Sequence, residues 1–139
     1  MKITVVKEFS FEAAHYLPGY NGPCARLHGH SYRLFIGITG KVDPVTGMVI
    51  DFSILKRGVT DSIISQLDHS SLNDVDIPGF PTAMPTAENM VEWIVDVLHG
   101  KSQFYCRMFY WLSFVRLYET PTSYAEWHSY LNPFEAYSK

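Results

Sequence analysis

The sequence predicts an α+β fold, a four-stranded antiparallel sheet with two helices on one face, in the order β-β-α-α-β-β. Three patterns support this fold class. Apolar and polar residues alternate through most of the first 40 positions, apolar residues recur every three or four positions in two later segments, and aromatic and β-branched residues dominate a segment beyond residue 103. A chain of 139 residues is long enough to bury one core. We therefore expect a single domain over residues 1–139.

The first two predicted strands carry histidines on their apolar faces. Residues 2–15 predict the first strand, because one parity is apolar: Ile3, Val5, Phe9, Phe11 and Ala13. His15 has the same parity. Residues 16–23 are rich in Pro and Gly and predict a loop. In the second strand, residues 28–39, His28 and His30 share the parity of Tyr32, Leu34, Ile36 and Ile38. Both strands should therefore turn their histidines toward the core.

The remaining elements follow from turn residues and helical spacing. Residues 43–47 predict a turn, and a helix over residues 52–67 is predicted with Asp51 or Ser53 as its cap. A loop leads to a second helix from Thr86 to about Leu98. Residues 104–118 lack clean alternation and predict a strand buried on both sides or at an interface, followed by a short strand over residues 123–128. The sheet face without helices needs covering, which favours an oligomer.

Composition excludes several classes of protein. Eleven Lys and Arg against 14 Asp and Glu, with no basic stripe, argue against nucleic-acid binding. No apolar run approaches the ~20 residues that cross a bilayer. The N-terminal residues lack the apolar segment and cleavage site of a signal peptide, and two cysteines do not make a disulfide framework. We therefore expect a cytoplasmic protein.

Three histidines are the candidate metal ligands. On a strand, the Cα atoms of His28 and His30 would lie roughly 6.5–7 Å apart with both rings on one face. Any single histidine is more often hydrogen-bonded or exposed than a ligand. Three imidazoles on inward faces, with His15 on the neighbouring strand, nevertheless need a partner, because an unpaired buried nitrogen costs about 1–3 kcal/mol. A zinc ion on His15, His28 and His30 would keep a fourth position open, as catalytic zinc sites do.

The two cysteines receive different interpretations. Cys24 could be a small core residue, as free cysteines usually are. It lies, however, in a polar loop beside the predicted zinc and Arg26, and both charges favour the thiolate, which makes it a candidate for catalysis. Cys106 lies among Tyr105 and Met108 and is predicted to be structural.

Five other residues carry weaker signals. Asp68 precedes His69, and a carboxylate can orient an imidazole that acts as a general acid or base, although such pairs are common at helix ends. Glu119 ends a hydrophobic strand, and from the residues alone a solvated carboxylate is favoured. Thr86 and Glu88 are interpreted first as helix N-terminal residues. His99 and His128 are predicted to lie on the surface.

Together these residues resemble the 6-pyruvoyl-tetrahydropterin synthase and 6-carboxy-tetrahydropterin synthase family. The matching segments are residues 9–15, 24–30, 47–52, 67–69 with 72–73, 85–89 and 119–120. The resemblance implies a tunnelling fold, in which the sheets of several subunits close into a barrel, usually as a homohexamer of two trimers with active sites at subunit interfaces. The aromatic run Phe104 to Phe114 is longer than is usual in this family.

The resemblance also implies a reaction. The substrate would be 7,8-dihydroneopterin triphosphate, converted to 6-carboxy-5,6,7,8-tetrahydropterin with loss of acetaldehyde and triphosphate, toward 7-deazaguanine bases such as the queuosine precursor. The three-residue gap between Cys24 and His28 resembles the bacterial 6-carboxy branch. The alternatives are the 6-pyruvoyl-forming reaction on the same substrate and a zinc-binding assembly protein without catalysis.

The resemblance assigns a role to each candidate. Zinc on the three histidines would bind the side-chain oxygens of the substrate, Cys24 as thiolate would remove a carbon-bound proton, and His69, oriented by Asp68, would relay a proton on the other side. Glu119 would accept two hydrogen bonds from the pterin ring. Thr86 and Glu88 match the pterin-pocket segment, and we expect Arg26 to contact the triphosphate.

Overall fold

The computed structural model describes residues 1–101 and 109–130 and confirms an α+β fold. Five strands form one mixed sheet in the order β3-β1-β2-β4-β5. The strands are β1 (Ile3–His15), β2 (His28–Gly40), β3 (Ser70–Ser71), β4 (Tyr110–Thr120) and β5 (Ser123–His128), and the helices are α1 (Phe52–Val59), α2 (Ser65–Leu67) and α3 (Ala87–His99). Within the described ranges, no helix is long and apolar enough to span a bilayer.

The strands β1 and β2 are antiparallel neighbours, as predicted, and β2 is the central strand of the sheet. Alternate residues of β1 are buried toward its end, and the apolar parity of β2 is fully buried from Tyr32 to Ile38. The core side chains of these two strands are Phe9, Phe11, Ala13, Tyr32, Leu34, Ile36 and Ile38. The register pairs Ala13 with His30 and His15 with His28. Pairing therefore brings the predicted histidines to the same end and the same face of the sheet.

The first predicted helix is real but not regular. Asp51 is its cap, since its carboxylate accepts a hydrogen bond from the Ser53 amide at 2.7 Å. Between α1 and α2 the chain makes a π-helical turn over Thr60–Ile64, in which the Ser65 amide donates to the Thr60 carbonyl. The predicted single helix over residues 52–67 is thus one helical segment with a widened turn.

The sheet contains one strand that was not predicted. Ser70 and Ser71 pair in parallel with Ala13 and Ala14 at the edge of β1. The prediction of a purely four-stranded antiparallel sheet was wrong in this respect, because a two-residue strand is too short to show any periodicity. Its consequence is that the segment after α2 is fixed against β1.

The C-terminal strands differ from the prediction in burial. On β4 only one side faces the core, through Leu112, Val115 and Leu117. The register shifts between Gly37 and Ile38 of β2, and this bulge resets the parity of β4, which explains the missing alternation. Burial on both sides is therefore wrong for the single chain. The first part of the predicted strand, with Cys106, lies outside the described residues.

The second predicted helix is confirmed as α3. Thr86 caps it, since its hydroxyl accepts a hydrogen bond from the Asn89 amide at 3.2 Å. Its buried face consists of Ala87, Met90, Val91, Trp93, Ile94, Val95 and Leu98. The cap places the N-terminus of α3 beside the histidine end of β1, because the Pro85 carbonyl contacts His15.

Candidate metal centre and catalytic site

The three predicted ligands converge at one end of the sheet. His15 is the last residue of β1, and His28 and His30 begin β2. One ring nitrogen from each histidine lies within 4.8 Å of the other two. His15 is 1% exposed, whereas His28 and His30 are half-buried. His15 and His28 are thus paired residues of adjacent strands, and His30 follows His28 by two residues on β2.

Backbone carbonyls fix the tautomers of two histidines. His15 Nδ1 lies 2.8 Å from the Pro85 oxygen, and His28 Nδ1 lies 2.6 Å from the Arg26 oxygen. A carbonyl oxygen only accepts hydrogen bonds, so each Nδ1 carries the proton and each Nε2 has a free lone pair. Those two Nε2 atoms lie 3.0 Å apart. Two lone pairs at this distance repel each other unless a cation or a proton lies between them.

His30 supplies a third nitrogen without a partner. Its Nε2 lies 3.2 Å from Glu119 Oε1 without forming a hydrogen bond, and this buried atom has no hydrogen-bond partner among the described residues. Burial lowers the pKa of His30, and the neighbouring His15 and His28 lower it further, while Glu119 opposes them. His30 is therefore held toward the neutral form that a metal ligand needs.

These donors fit a zinc ion. Two nitrogens at 2.0–2.1 Å from a tetrahedral zinc are about 3.3 Å apart, close to the Nε2 separation of His15 and His28. The outer nitrogens of these two histidines already donate to carbonyl oxygens, which is the usual arrangement around zinc-bound imidazoles. Three protein ligands leave one position for substrate or water. The site thus matches an open, catalytic type of metal centre.

Cys24 and Arg26 lie in the loop that connects the histidine ends of β1 and β2. Cys24 is the middle residue of a 3-10 turn, Pro23–Ala25, and is half-buried. Its carbonyl accepts a hydrogen bond from the Leu17 amide at 2.9 Å, which ties the turn to the end of β1. Arg26 is exposed and uses its carbonyl to hold His28. The thiol is therefore carried by a largely exposed loop that is anchored to the end of β1.

The predicted pterin-pocket residues lie at the end of β4 and at the start of α3. Glu119, 26% exposed, approaches His30 from the end of β4. It lines a small pocket of about 140 Å³ together with Glu88, from the first turn of α3, and Ser123 and Tyr124 of β5. Thr86 is half-buried and caps α3. The structure thus brings Glu119 and Glu88 together.

Asp68 and His69 lie in the connection between α2 and β3. The His69 ring is 80% exposed, and its Nε2 is 3.7 Å from Asp68 Oδ1. It lines a cleft of about 480 Å³ whose other lining residues include Glu12, Ser31 and His30. Glu12 and Ser31 point away from the core, on the sheet face opposite the three imidazoles. Within one chain, His69 therefore lies beside the outer sheet face, in a cleft that His30 also lines.

Sequence reasoning missed two groups at this site. One is the Pro85 carbonyl, which carries no side-chain signal. The other is Tyr32, whose hydroxyl lies 3.4 Å from His15 Nδ1. The available sequence signal for Tyr32 was its position two residues after His30, on the same apolar face of the strand. Burial raises the pKa of Tyr32, so its hydroxyl stays protonated.

Comparisons with known proteins agree with one another. The family model described as 6-pyruvoyl tetrahydropterin synthase matches residues 4–129. The chain is 43% identical over 94 residues to the 6-carboxy-5,6,7,8-tetrahydropterin synthase of Synechocystis, covering 65% of this chain and 70% of that protein. It is 35% identical over 143 aligned residues to the Haemophilus influenzae protein of the same name, covering 88% and 96%.

Two other matches extend the comparison. The human 6-pyruvoyl tetrahydrobiopterin synthase is 39% identical over 71 residues, which covers 51% of this chain and 48% of that protein. The solved structure of the Caenorhabditis elegans 6-pyruvoyl tetrahydropterin synthase superposes with a TM-score of 0.76 at 27% identity, over 93% of this chain and 96% of that one.

Proposed function

This chain belongs to the 6-pyruvoyl tetrahydropterin synthase family, and on that premise we propose that it is a 6-carboxy-5,6,7,8-tetrahydropterin synthase. It would convert 7,8-dihydroneopterin triphosphate and one molecule of water to 6-carboxy-5,6,7,8-tetrahydropterin, acetaldehyde and triphosphate, on the route to 7-deazaguanine bases. The observation that carries the proposal is the convergence of three imidazole nitrogens, beside a carboxylate 3.2 Å from His30.

The carboxy-forming reaction is favoured over the pyruvoyl-forming one by the extent of the matches. The Haemophilus influenzae 6-carboxy enzyme aligns over 96% of its length, whereas the human 6-pyruvoyl enzyme aligns over 48%. The three-residue gap between Cys24 and His28 also resembles the bacterial 6-carboxy branch.

The histidines would hold zinc and leave its fourth position to the substrate. Bound zinc would supply Lewis-acid polarisation of the substrate's side-chain oxygens. The carbonyls of Pro85 and Arg26 would keep the rings of His15 and His28 in the ligating tautomer. With zinc bound, the neighbouring C–H bonds of the substrate would become acidic enough for a side-chain base.

Cys24 is the proposed base. Its loop borders the histidine end of the sheet, and its side chain is half-buried and not sealed in the core. The thiolate would take the carbon-bound proton of the substrate side chain. Arg26 is in addition the proposed contact for the triphosphate.

His69 would relay a proton on the opposite side of the substrate, and this needs a second subunit. The ring lies on the other sheet face from the histidines of its own chain. A neighbouring copy would therefore supply His69 with Asp68, in keeping with the homohexamer that the family resemblance implies.

Glu119 is the proposed pterin anchor. Its carboxylate can accept two charge-assisted hydrogen bonds from the 2-amino group and the ring N–H of the pterin. Glu88 lines the same pocket, and Thr86 fixes the helix that carries Glu88. The ring would thus be held with its side chain directed toward the histidines.

Product analysis tests the proposal. The zinc-loaded protein is incubated with 7,8-dihydroneopterin triphosphate, and the products are identified by mass spectrometry with an enzymatic assay for acetaldehyde. We expect acetaldehyde and the 6-carboxy pterin in equal amounts. A product that keeps the three-carbon side chain would show the 6-pyruvoyl activity instead. Absence of turnover would favour the remaining alternative, a zinc-binding assembly protein without catalysis.

Cysteine variants test the base within the same assay. Cys24→Ala should abolish turnover while zinc content and assembly stay unchanged. Cys106→Ala is the matched control and should retain turnover. Unchanged turnover in Cys24→Ala would refute the role of the thiolate.

A further inference from the structure

We propose that Asn73 is a positioning residue for the metal centre. Its side-chain amide holds the backbone next to His15 and also the loop that brings the Pro85 carbonyl to the His15 ring. The inference rests on the three-histidine centre of the proposed function and not on the reaction assigned to that centre.

The side chain of Asn73 takes the place of a strand neighbour beside the end of β1. β3 pairs with β1 up to Ala14, and the Leu72 amide then donates to the Ala14 carbonyl at 2.8 Å. The Asn73 side chain continues this edge. Its Oδ1 accepts a hydrogen bond from the Tyr16 amide at 3.0 Å, and its Nδ2 donates to the Tyr16 carbonyl at 2.9 Å. One side chain thus holds both backbone groups of the residue that directly follows the ligand His15.

The same amide is bonded to the loop that leads into α3. Asn73 Nδ2 also donates to the Thr82 carbonyl at 3.3 Å, three residues before Pro85. The Pro85 carbonyl in turn accepts the hydrogen bond of His15 Nδ1 at 2.8 Å. Asn73 therefore joins the segment that carries the imidazole to the segment that carries its acceptor. Because such outer partners orient a ligating ring, a shift of either segment would turn the His15 Nε2 lone pair away from the metal position.

These contacts require an asparagine. An asparagine in a connection usually bonds its own backbone about two residues on, whereas Tyr16 is 57 positions away from Asn73 and Thr82 is nine. The Tyr16 amide only donates and the two carbonyls only accept, so one acceptor oxygen and two N–H donors are needed on one planar group. Aspartate has this shape but would place an oxygen against two carbonyl oxygens, and alanine loses all three bonds.

The zinc affinity of the folded protein tests the inference without reference to turnover. Metal-free protein is titrated with zinc in competition with a colorimetric chelator. We expect Asn73→Ala to raise the zinc Kd by about tenfold, as loss of an outer partner does. Asn73→Asp should also raise the Kd, although attraction by its added negative charge would lower it. Gln66→Ala is the control, because Gln66 donates its side-chain amide to the Ser62 carbonyl within the helical segment and should keep the wild-type Kd.

Hydrogen–deuterium exchange at the Tyr16 amide gives a second readout, which also decides the inference if a variant does not fold. In the metal-free wild type this amide should be protected, and in Asn73→Ala it should exchange at least about tenfold faster, with no change in Gln66→Ala. A purely structural role would lower the stability of Asn73→Ala and leave its zinc Kd unchanged.

Two outcomes would overturn the inference. One is a Tyr16 amide that exchanges in the wild type as fast as in an unfolded peptide. The other is a zinc Kd within about twofold of the wild-type value in both Asn73 variants. A wild type that binds zinc without turning over the pterin would contradict the proposed reaction alone, and a wild type that binds no zinc would contradict the metal centre and this inference together.

Discussion

Replacing His30 with alanine should remove the effect of zinc on stability while leaving the metal-free protein almost as stable as the wild type. The reason lies in the environment of the ring. His30 Nε2 is buried without a hydrogen-bond partner among the described residues, and the ring packs against His15 and Tyr32 at centroid distances of 5.0 and 5.5 Å. Truncation to alanine therefore removes an unfavourable buried nitrogen and, with it, the favourable packing of the ring.

The two effects are similar in size and opposite in sign. Relief of an unsatisfied buried nitrogen stabilises the metal-free fold by about 1–3 kcal/mol. Loss of the packed ring and the cavity that it leaves costs a comparable amount, about 2–3 kcal/mol. The net change in the metal-free state should therefore be within about 1–2 kcal/mol.

Zinc changes this balance in the wild type alone. Zinc at a thousand times its dissociation constant stabilises the folded state by about 4 kcal/mol. For a domain of this size that corresponds to a rise in Tm of roughly 10 °C. His30→Ala removes one of the three ligands, so its affinity for zinc should be much lower. At the same zinc concentration, most of the zinc-dependent rise in Tm should therefore be lost.

Scanning calorimetry with and without chelator measures both states, and metal analysis after gel filtration gives the zinc content. His128→Ala is the control, because His128 is an exposed histidine paired with Glu126 on the outer face. It should keep the zinc-dependent rise. Stoichiometric zinc and a full rise in Tm in His30→Ala would refute the three-histidine centre.

Three further predictions follow from the same contacts. Glu119→Gln should lower kcat/KM for the pterin substrate by about 10–150-fold, the value of one charge-assisted hydrogen bond, while Glu126→Gln should not, as steady-state kinetics will show. Thr86→Ala and Asp51→Ala should each lower the free energy of unfolding, measured by urea denaturation, by about 0.5–2 kcal/mol, because each removes a helix cap. Only Thr86→Ala should also weaken zinc binding, because Thr86 adjoins the Pro85 carbonyl that holds His15. Equal zinc affinities in the two variants would contradict this. Burial lowers the pKa of His30 from its ordinary value of 6.5, so just below that pH the unfolded chain binds more protons than the folded one. The free energy of unfolding of the metal-free protein should therefore be highest above about pH 6.5 and fall as the pH drops below it. An identical fall in His30→Ala would assign the effect to other groups.

The sequence predicted the parts of the fold whose residues repeat with a clear period. The alternation in β1 and β2 indicated both the strands and the face of each histidine, because a period of 2 leaves little freedom in register once one face is buried. β3 could not be predicted, since its two residues carry no period. The parity of β4 was hidden by the bulge opposite Gly37.

The site was predictable where side chains carry the chemistry. The spacing of His28 and His30 and the parity of His15 were enough to place three imidazoles together. The carbonyls that fix their tautomers could not be read from side chains, and the approach of Glu119 to His30 depends on the pairing of β2 with β4. The position of His69 on the outer face depends on β3 and so escaped prediction.

X-ray absorption at the zinc edge of the purified, zinc-loaded protein tests the central claim most directly. One zinc per chain should show only nitrogen and oxygen neighbours, at about 2.0–2.1 Å, with the multiple-scattering pattern of three imidazoles. A neighbour at about 2.3 Å would mark a bound sulfur. It would place Cys24 or Cys106 on the metal, and with Cys24 there the chain would lose both its open position and its proposed base.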